Sequence, residues 1–135
     1  MKYNIIFVDD SINVLESLKW IFEDEPYHVF YSDNPLNALN VTKTLEWAVV
    51  VADQSMQNMD GLEFLKRFQA LSPHTMGIIM TGYNEITEAL DTLYPGCVYR
   101  FVKKPMDNNE IIQAVKTAIK DYEKNMDSKE HAILR

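Results

Sequence analysis

Short apolar runs alternate with longer stretches whose apolar residues recur every three or four positions, and this alternation repeats along the chain. Ile5-Ile6-Phe7-Val8 is a continuous apolar run, the sign of a strand covered on both faces. It stops abruptly at Asp9-Asp10. Ser11 is a natural N-cap for a helix carrying Val14, Leu15, Leu18 and Ile21-Phe22 at helical spacing, ending near Glu25-Pro26. Tyr27 to Tyr31 alternates weakly and reads as a second strand. Ser32-Asp33-Asn34-Pro35 then supplies cap and turn chemistry before a helix with Leu36, Leu39 and Leu45. Trp47 to Ala52 gives the strongest strand signal and also runs into an aspartate, Asp53. After a loop to Asp60-Gly61, a third helix places Leu62, Phe64-Leu65 and Phe68 on one side, and Ser72-Pro73 closes it. Gly77 to Met80 predicts a fourth strand leading to Thr81-Gly82. A short fourth helix from Asn84 through Leu93 is stopped by Pro95-Gly96. Val98 to Val102 predicts a fifth strand, ending at Lys103-Lys104-Pro105. A last helix starts near Asn108-Asn109 and carries Ile111-Ile112, Val115 and Ile119.

Strand and helix thus alternate five times with short connections, which predicts an α/β domain: a parallel sheet of five strands with five helices on its two faces. Right-handed crossovers bring the carboxyl ends of all five strands to one edge. Ligands bind at that edge in such sheets, near the point where strand order reverses. The polar tail from Tyr122 onward either extends the last helix or leads into a linker, so residues 1–121 are expected to form the domain and 122–135 the extension.

Length and charge narrow the class. The chain has 135 residues, of which 47% are apolar, enough for one domain with a real core. The net charge of −7 argues against nucleic acid as a partner, because phosphate contacts need a basic surface. The longest apolar runs are far too short to cross a bilayer. Met1-Lys2-Tyr3-Asn4 lacks the form of a secretory signal, and the single Cys97 cannot form an internal disulfide. These features fit a cytoplasmic protein. His28, His74 and His131 share no ligand spacing, which argues against a histidine-based metal site.

The residues able to do chemistry fall at the strand ends. Asp9 and Asp10 follow the first strand, Asp53 the third, Thr81 the fourth and Lys104 the fifth. Three carboxylates in one pocket would raise each other's pKa unless a divalent cation sat among them. Hard oxygen ligands with room for water and phosphate suit Mg2+. Lys104 can reach a phosphoryl oxygen, and the Thr81 hydroxyl can donate to another. That is equipment for in-line phosphoryl transfer, in which a carboxylate nucleophile would form an acyl phosphate.

The order of these residues and their neighbours resembles the receiver domains of two-component response regulators. Asp53-Gln54-Ser55-Met56-Gln57-Asn58-Met59-Asp60-Gly61 looks like the family's phosphoacceptor loop, Met80-Thr81-Gly82 its threonine/serine switch segment, and Phe101-Val102-Lys103-Lys104-Pro105 its lysine-proline end. The resemblance covers residues 3 to 121. It implies a doubly wound, flavodoxin-like fold with Asp53 as phosphoacceptor. Asp10 and Asp53 would bind Mg2+ directly, Asp9 directly or through water, and the Ser55 carbonyl would complete the protein's ligands. Lys104 would pair with the phosphoryl group, and its bond to Pro105 would be cis. Thr81 would move towards the phosphorylated aspartate, with Phe101 as the switch aromatic rotating inward behind it. The face of the fourth helix, fifth strand and fifth helix would then change shape for a partner. Implied partners are a sensor histidine kinase or phosphotransfer protein, an output domain or downstream protein, and a second copy through that same face. The chain would be a signalling domain that promotes its own phosphorylation and dephosphorylation, not an enzyme. Cys97 to Val102 further resembles receivers joined to cyclic-di-nucleotide signalling domains.

Departures from the family pattern bear on the lifetime of the acyl phosphate. Gln57 stands where proline is usual, Gly82 where alanine is common, and Ser55 and Tyr83 hold positions that tune dephosphorylation. Two rival readings are weaker. A phosphatase of the haloacid dehalogenase type needs a second aspartate two residues after its nucleophile, where this chain has Ser55. A flavodoxin-type ligand module needs a phosphate-cradling loop where Asp9-Asp10 stands, and those acids would repel phosphate. A receiver fold reduced to plain docking is opposed by the intact acids and lysine.

Overall fold

The computed structural model describes residues 2–82, 98–105 and 107–134. Its elements are β1 (Asn4–Val8), α1 (Ile12–Ile21), β2 (His28–Ser32), α2 (Pro35–Asn40), a 3-10 turn (Thr42–Thr44), β3 (Trp47–Asp53), α3 (Gly61–Leu71), β4 (Met76–Thr81), β5 (Arg100–Lys103) and the C-terminal helix α4 (Asn108–Leu134). The strands form one sheet in the order β2-β1-β3-β4-β5, every neighbouring pair parallel. The five-stranded parallel sheet matches the sequence expectation. Of the five helices expected, four lie among the described residues, and the fourth one predicted, Asn84 to Leu93, lies outside them.

Each central strand is buried on both faces, and its side chains alternate between two cores. Ile5, Phe7, Val49 and Val51 join Leu15, Leu18 and Phe22 at α1 with Ile111, Ala114, Val115 and Ala118 of α4. Ile6, Val8, Val50 and Ala52 join Ala38 of α2 with Leu62, Phe64, Leu65 and Phe68 of α3. Successive strand residues point to opposite faces, so this split follows from the period of two. It explains why β1 and β3 read as unbroken apolar runs.

Caps set the helix starts. The Ser11 hydroxyl accepts from Val14 N–H, Asn34 from Leu36 N–H, and Asp60 from Glu63 N–H. Helix ends depart more from the sequence reading. α1 stops at Ile21, with Phe22 as C-cap, rather than near Glu25-Pro26. α2 stops at Asn40, and Leu45 lies beyond the 3-10 turn with 42% of its surface exposed. Leu36, placed on the same predicted helix, is 46% exposed, and α2 buries Pro35 and Ala38 instead. β5 begins at Arg100, two residues later than expected.

Candidate functional site

Register brings the acids together. β1 and β3 are neighbours with Val8 opposite Ala52, so the next residues, Asp9 and Asp53, leave the sheet side by side. This is where the strand order reverses: the chain steps outward from β1 to β2, then returns to β3 on the other flank of β1. Such a reversal opens a crevice at the carboxyl edge. Asp53 stands opposite Met80, which places Thr81 one residue further along β4. Thr81 in turn pairs with Lys103, and the Lys104 N–H donates to the Thr81 carbonyl at 2.9 Å. The Lys104–Pro105 peptide bond is cis, as the resemblance implied.

The side chains converge as their positions predict. Lys104 Nζ lies 2.9 Å from Asp9 Oδ2 and 3.0 Å from Asp53 Oδ1. Asp9, Asp10 and Asp53 each offer a carboxylate oxygen, and these atoms lie within 4.8 Å of one another. Asp9 is fully buried and Asp53 nearly so, whereas Asp10 is exposed. The other Asp9 oxygen, Oδ1, accepts from Ser11 N–H at 2.9 Å. Asp10 Oδ2 accepts from the Gln57 N–H at 3.0 Å. Asp53 accepts a backbone hydrogen bond from Ser55.

Charge in this cluster does not balance. Three carboxylates and one ammonium leave a formal charge of −2. Burial pushes the Asp53 carboxyl up from its ordinary range, and the adjacent Asp9 adds to the rise; Lys104 and Ser55 oppose it without cancelling it. Burial acts to lower the Lys104 ammonium, but its hydrogen bonds to Asp9 and Asp53 outweigh this and hold it above the ordinary lysine value. One cation shared by two carboxylates is firmly protonated; each carboxylate receives only part of a countercharge. The donor set, hard anionic oxygens with an uncompensated charge of two, fits a divalent cation such as Mg2+.

The loop after β3 is held by residues of the phosphoacceptor-loop stretch whose individual contacts the motif does not show. Gln54 N–H donates to the Met80 carbonyl at 2.9 Å, its carbonyl accepts from Gly61 N–H at 3.0 Å, and its Oε1 accepts from Leu62 N–H at 3.1 Å. One glutamine therefore ties the Asp53 end of β3 to β4 and to the start of α3. A Cβ on Gly61 would stand 2.6 Å from the Asp53 carbonyl oxygen, so glycine is required by this close approach. Asn58 takes the left-handed conformation, φ 75°, which asparagine tolerates better than most residues, and Met59 turns inward beneath it. These contacts depend on the three-dimensional course of the loop and leave no periodic signal.

Thr81 is fully buried at the end of β4, and its hydroxyl lies 3.4 Å from the Gly82 carbonyl. Ser55 lies on the exposed loop two residues beyond Asp53. Phe101 stands apart from the acids: it pairs with Ile79 and packs, partly buried, against the core that holds Ile6 and Val50. Tyr83 and Cys97 lie outside the described residues.

A parallel sheet of this strand order, with an acidic cluster where the order reverses, defines a flavodoxin-like α/β signalling or ligand-binding class. Within it, the chain belongs to the response regulator receiver domain family, whose profile matches residues 5–116. It is therefore a receiver domain of two-component phosphorelay signalling, a signalling domain and not a classical enzyme. It is 34% identical over 116 residues to sporulation initiation phosphotransferase F of Bacillus subtilis, covering 86% of this chain and 93% of that protein. With the transcriptional regulatory protein FixJ of Bradyrhizobium diazoefficiens it shares 28% identity over 122 residues, 90% of this chain but 59% of FixJ. A crystal structure described as adenylate cyclase from Rhodopirellula baltica superposes with a TM-score of 0.89 at 27% identity, covering 100% of this chain and 99% of that one. No described helix is long and apolar enough to cross a membrane.

Proposed function

We propose that this receiver accepts a phosphoryl group on Asp53, with Mg2+ held by Asp9, Asp10, Asp53 and the Ser55 backbone carbonyl. The observation that carries this reading is the cluster of three carboxylates around one lysine, short of charge balance by two. When bound, Mg2+ would neutralise the acids and draw charge from phosphoryl oxygens. A carboxylate oxygen of Asp53 attacks phosphorus, forming an acyl phosphate. The bond from phosphorus to the donor breaks, and its electron pair leaves with the donor atom, the imidazole nitrogen where the donor is a phosphohistidine. Lys104, already 3.0 Å from Asp53 Oδ1, exchanges that contact for a phosphoryl oxygen. Thr81 donates its hydroxyl to another phosphoryl oxygen, and Phe101 follows it inward.

In this reading the donor is a sensor histidine kinase or phosphotransfer protein. The fold is completed as a doubly wound receiver by the predicted helix over 84–93. Residues 1–121 form the receiver and 122–135 the extension of its last helix. The face formed by that predicted helix, β5 and α4 carries the switched state to an output domain, a downstream protein or a second copy. Receivers of this kind promote their own phosphorylation and dephosphorylation, and the Mg2+-dependent reaction with a small phosphodonor is the direct assay. Incubation with acetyl phosphate and Mg2+ is expected to add one phosphoryl group by intact mass, and chelation of the metal to prevent it. Equal incorporation with and without the metal would contradict the reading.

A further inference from the structure

The proposed metal site has a further feature at Gln57, the position where the family usually has proline. Gln57 N–H donates to Asp10 Oδ2 at 3.0 Å, a contact across 47 positions of sequence between the loop after β3 and the acid after β1. A proline at 57 has no N–H and could not make it. We propose that the backbone amide of Gln57 is a positioning group that orients the Asp10 carboxylate for Mg2+.

The proposal rests on the receiver reading above and on three features of the geometry. First, each acid of the cluster already has a directing partner. Asp9 and Asp53 share Lys104, Asp9 also takes Ser11 N–H, Asp53 takes the Ser55 backbone, and Asp10 takes Gln57. Second, Asp10 is the exposed member of the trio, so packing alone does not fix its rotamer. Third, the donor is itself held in place. Asn58 in the left-handed conformation turns the chain so that Met59 is buried while the amide before it faces Asp10. A carboxylate bonded through Oδ2 keeps Oδ1 and further lone pairs for a cation. Fixing its plane matters most for Mg2+, which demands near-octahedral ligands, and little for Ca2+, which accepts irregular ones.

The position also admits a direct test, since proline is the residue the family itself tolerates there. Calorimetric titration of the whole chain is expected to show Gln57→Pro binding Mg2+ about fivefold more weakly than the parent. Its Ca2+ affinity should change by less than about twofold, and Gln57→Ala, which keeps the N–H, should bind both ions like the parent. In the metal-free protein, Gln57 amide hydrogen exchange should be slower in the parent than in Asp10→Ala, an arm that needs no proline variant. Equal Mg2+ binding by parent and Gln57→Pro, equal losses for both ions, a loss in Gln57→Ala matching that in Gln57→Pro, or equal exchange rates would each overturn the inference. A parent that binds no Mg2+ at all would instead overturn the proposed function, and this inference with it.

Discussion

Lys104 and Asp53 illustrate how one ion pair can be favourable for one partner and insufficient for the other. Lys104 sits between two carboxylates and gains from both, so its folded pKa is raised. Its contribution to stability is fully present below the ordinary lysine value of 10.5 and is lost as pH rises through the higher folded value. Replacing it by methionine strands two buried carboxylates and is expected to cost about 2–4 kcal/mol in chemical denaturation without Mg2+. An unchanged midpoint would show that water already screens the acids. Asp53 runs the other way. Its folded pKa lies above 3.8, so the folded state holds its proton more tightly than the unfolded one. Ionising it opposes folding, increasingly as pH rises from 3.8 through the folded value. Asp53→Asn should therefore raise the metal-free thermal midpoint at neutral pH by roughly 2–5 °C, with the gain vanishing below pH 3.8. A lower midpoint at neutral pH would mean that the Lys104 contact outweighs burial.

At the scale of elements, the turn from β3 into α3 decides whether Asp53 faces the crevice. Gly61→Ala would drive a Cβ to within 2.6 Å of the Asp53 carbonyl oxygen and 3.0 Å of Gln54 Cα, both backbone atoms that cannot swing aside. We expect a loss of about 1–3 kcal/mol by thermal or chemical unfolding. On the proposed function phosphorylation should slow as well, because the same shift moves Asp53. Stability and rate both matching the parent would show that the loop yields cheaply. The central strands were legible because burial on both faces leaves an unbroken apolar run, as in Trp47 to Ala52. The caps were legible because Ser11, Asn34 and Asp60 are chemically suited to orphan N–H groups. Helix ends were not. Leu45 has the right spacing for α2, but spacing cannot reveal that the chain tightens into a 3-10 turn and leaves that side chain in water.

For the molecule as a whole, the candidate site was legible because it comes from topology rather than a local motif. Parallel strands with right-handed crossovers must present their carboxyl ends together, so polar residues closing apolar runs become neighbours. Asp9, Asp53 and Lys104 meet accordingly. The contacts of Gln54, Gln57 and Gly61, which support them, were not legible, because they run through backbone groups, the Gln54 side-chain oxygen and the missing Cβ of Gly61, none of which leaves a periodic signal. The central claim is that Asp53 itself becomes the acyl phosphate, and borohydride trapping reads this most directly. After reaction with acetyl phosphate and Mg2+, reduction should convert residue 53 to homoserine, found by peptide mass mapping in the parent and absent from Asp53→Ala. Homoserine at another aspartate, or undiminished phosphoryl uptake by Asp53→Ala, would contradict the account.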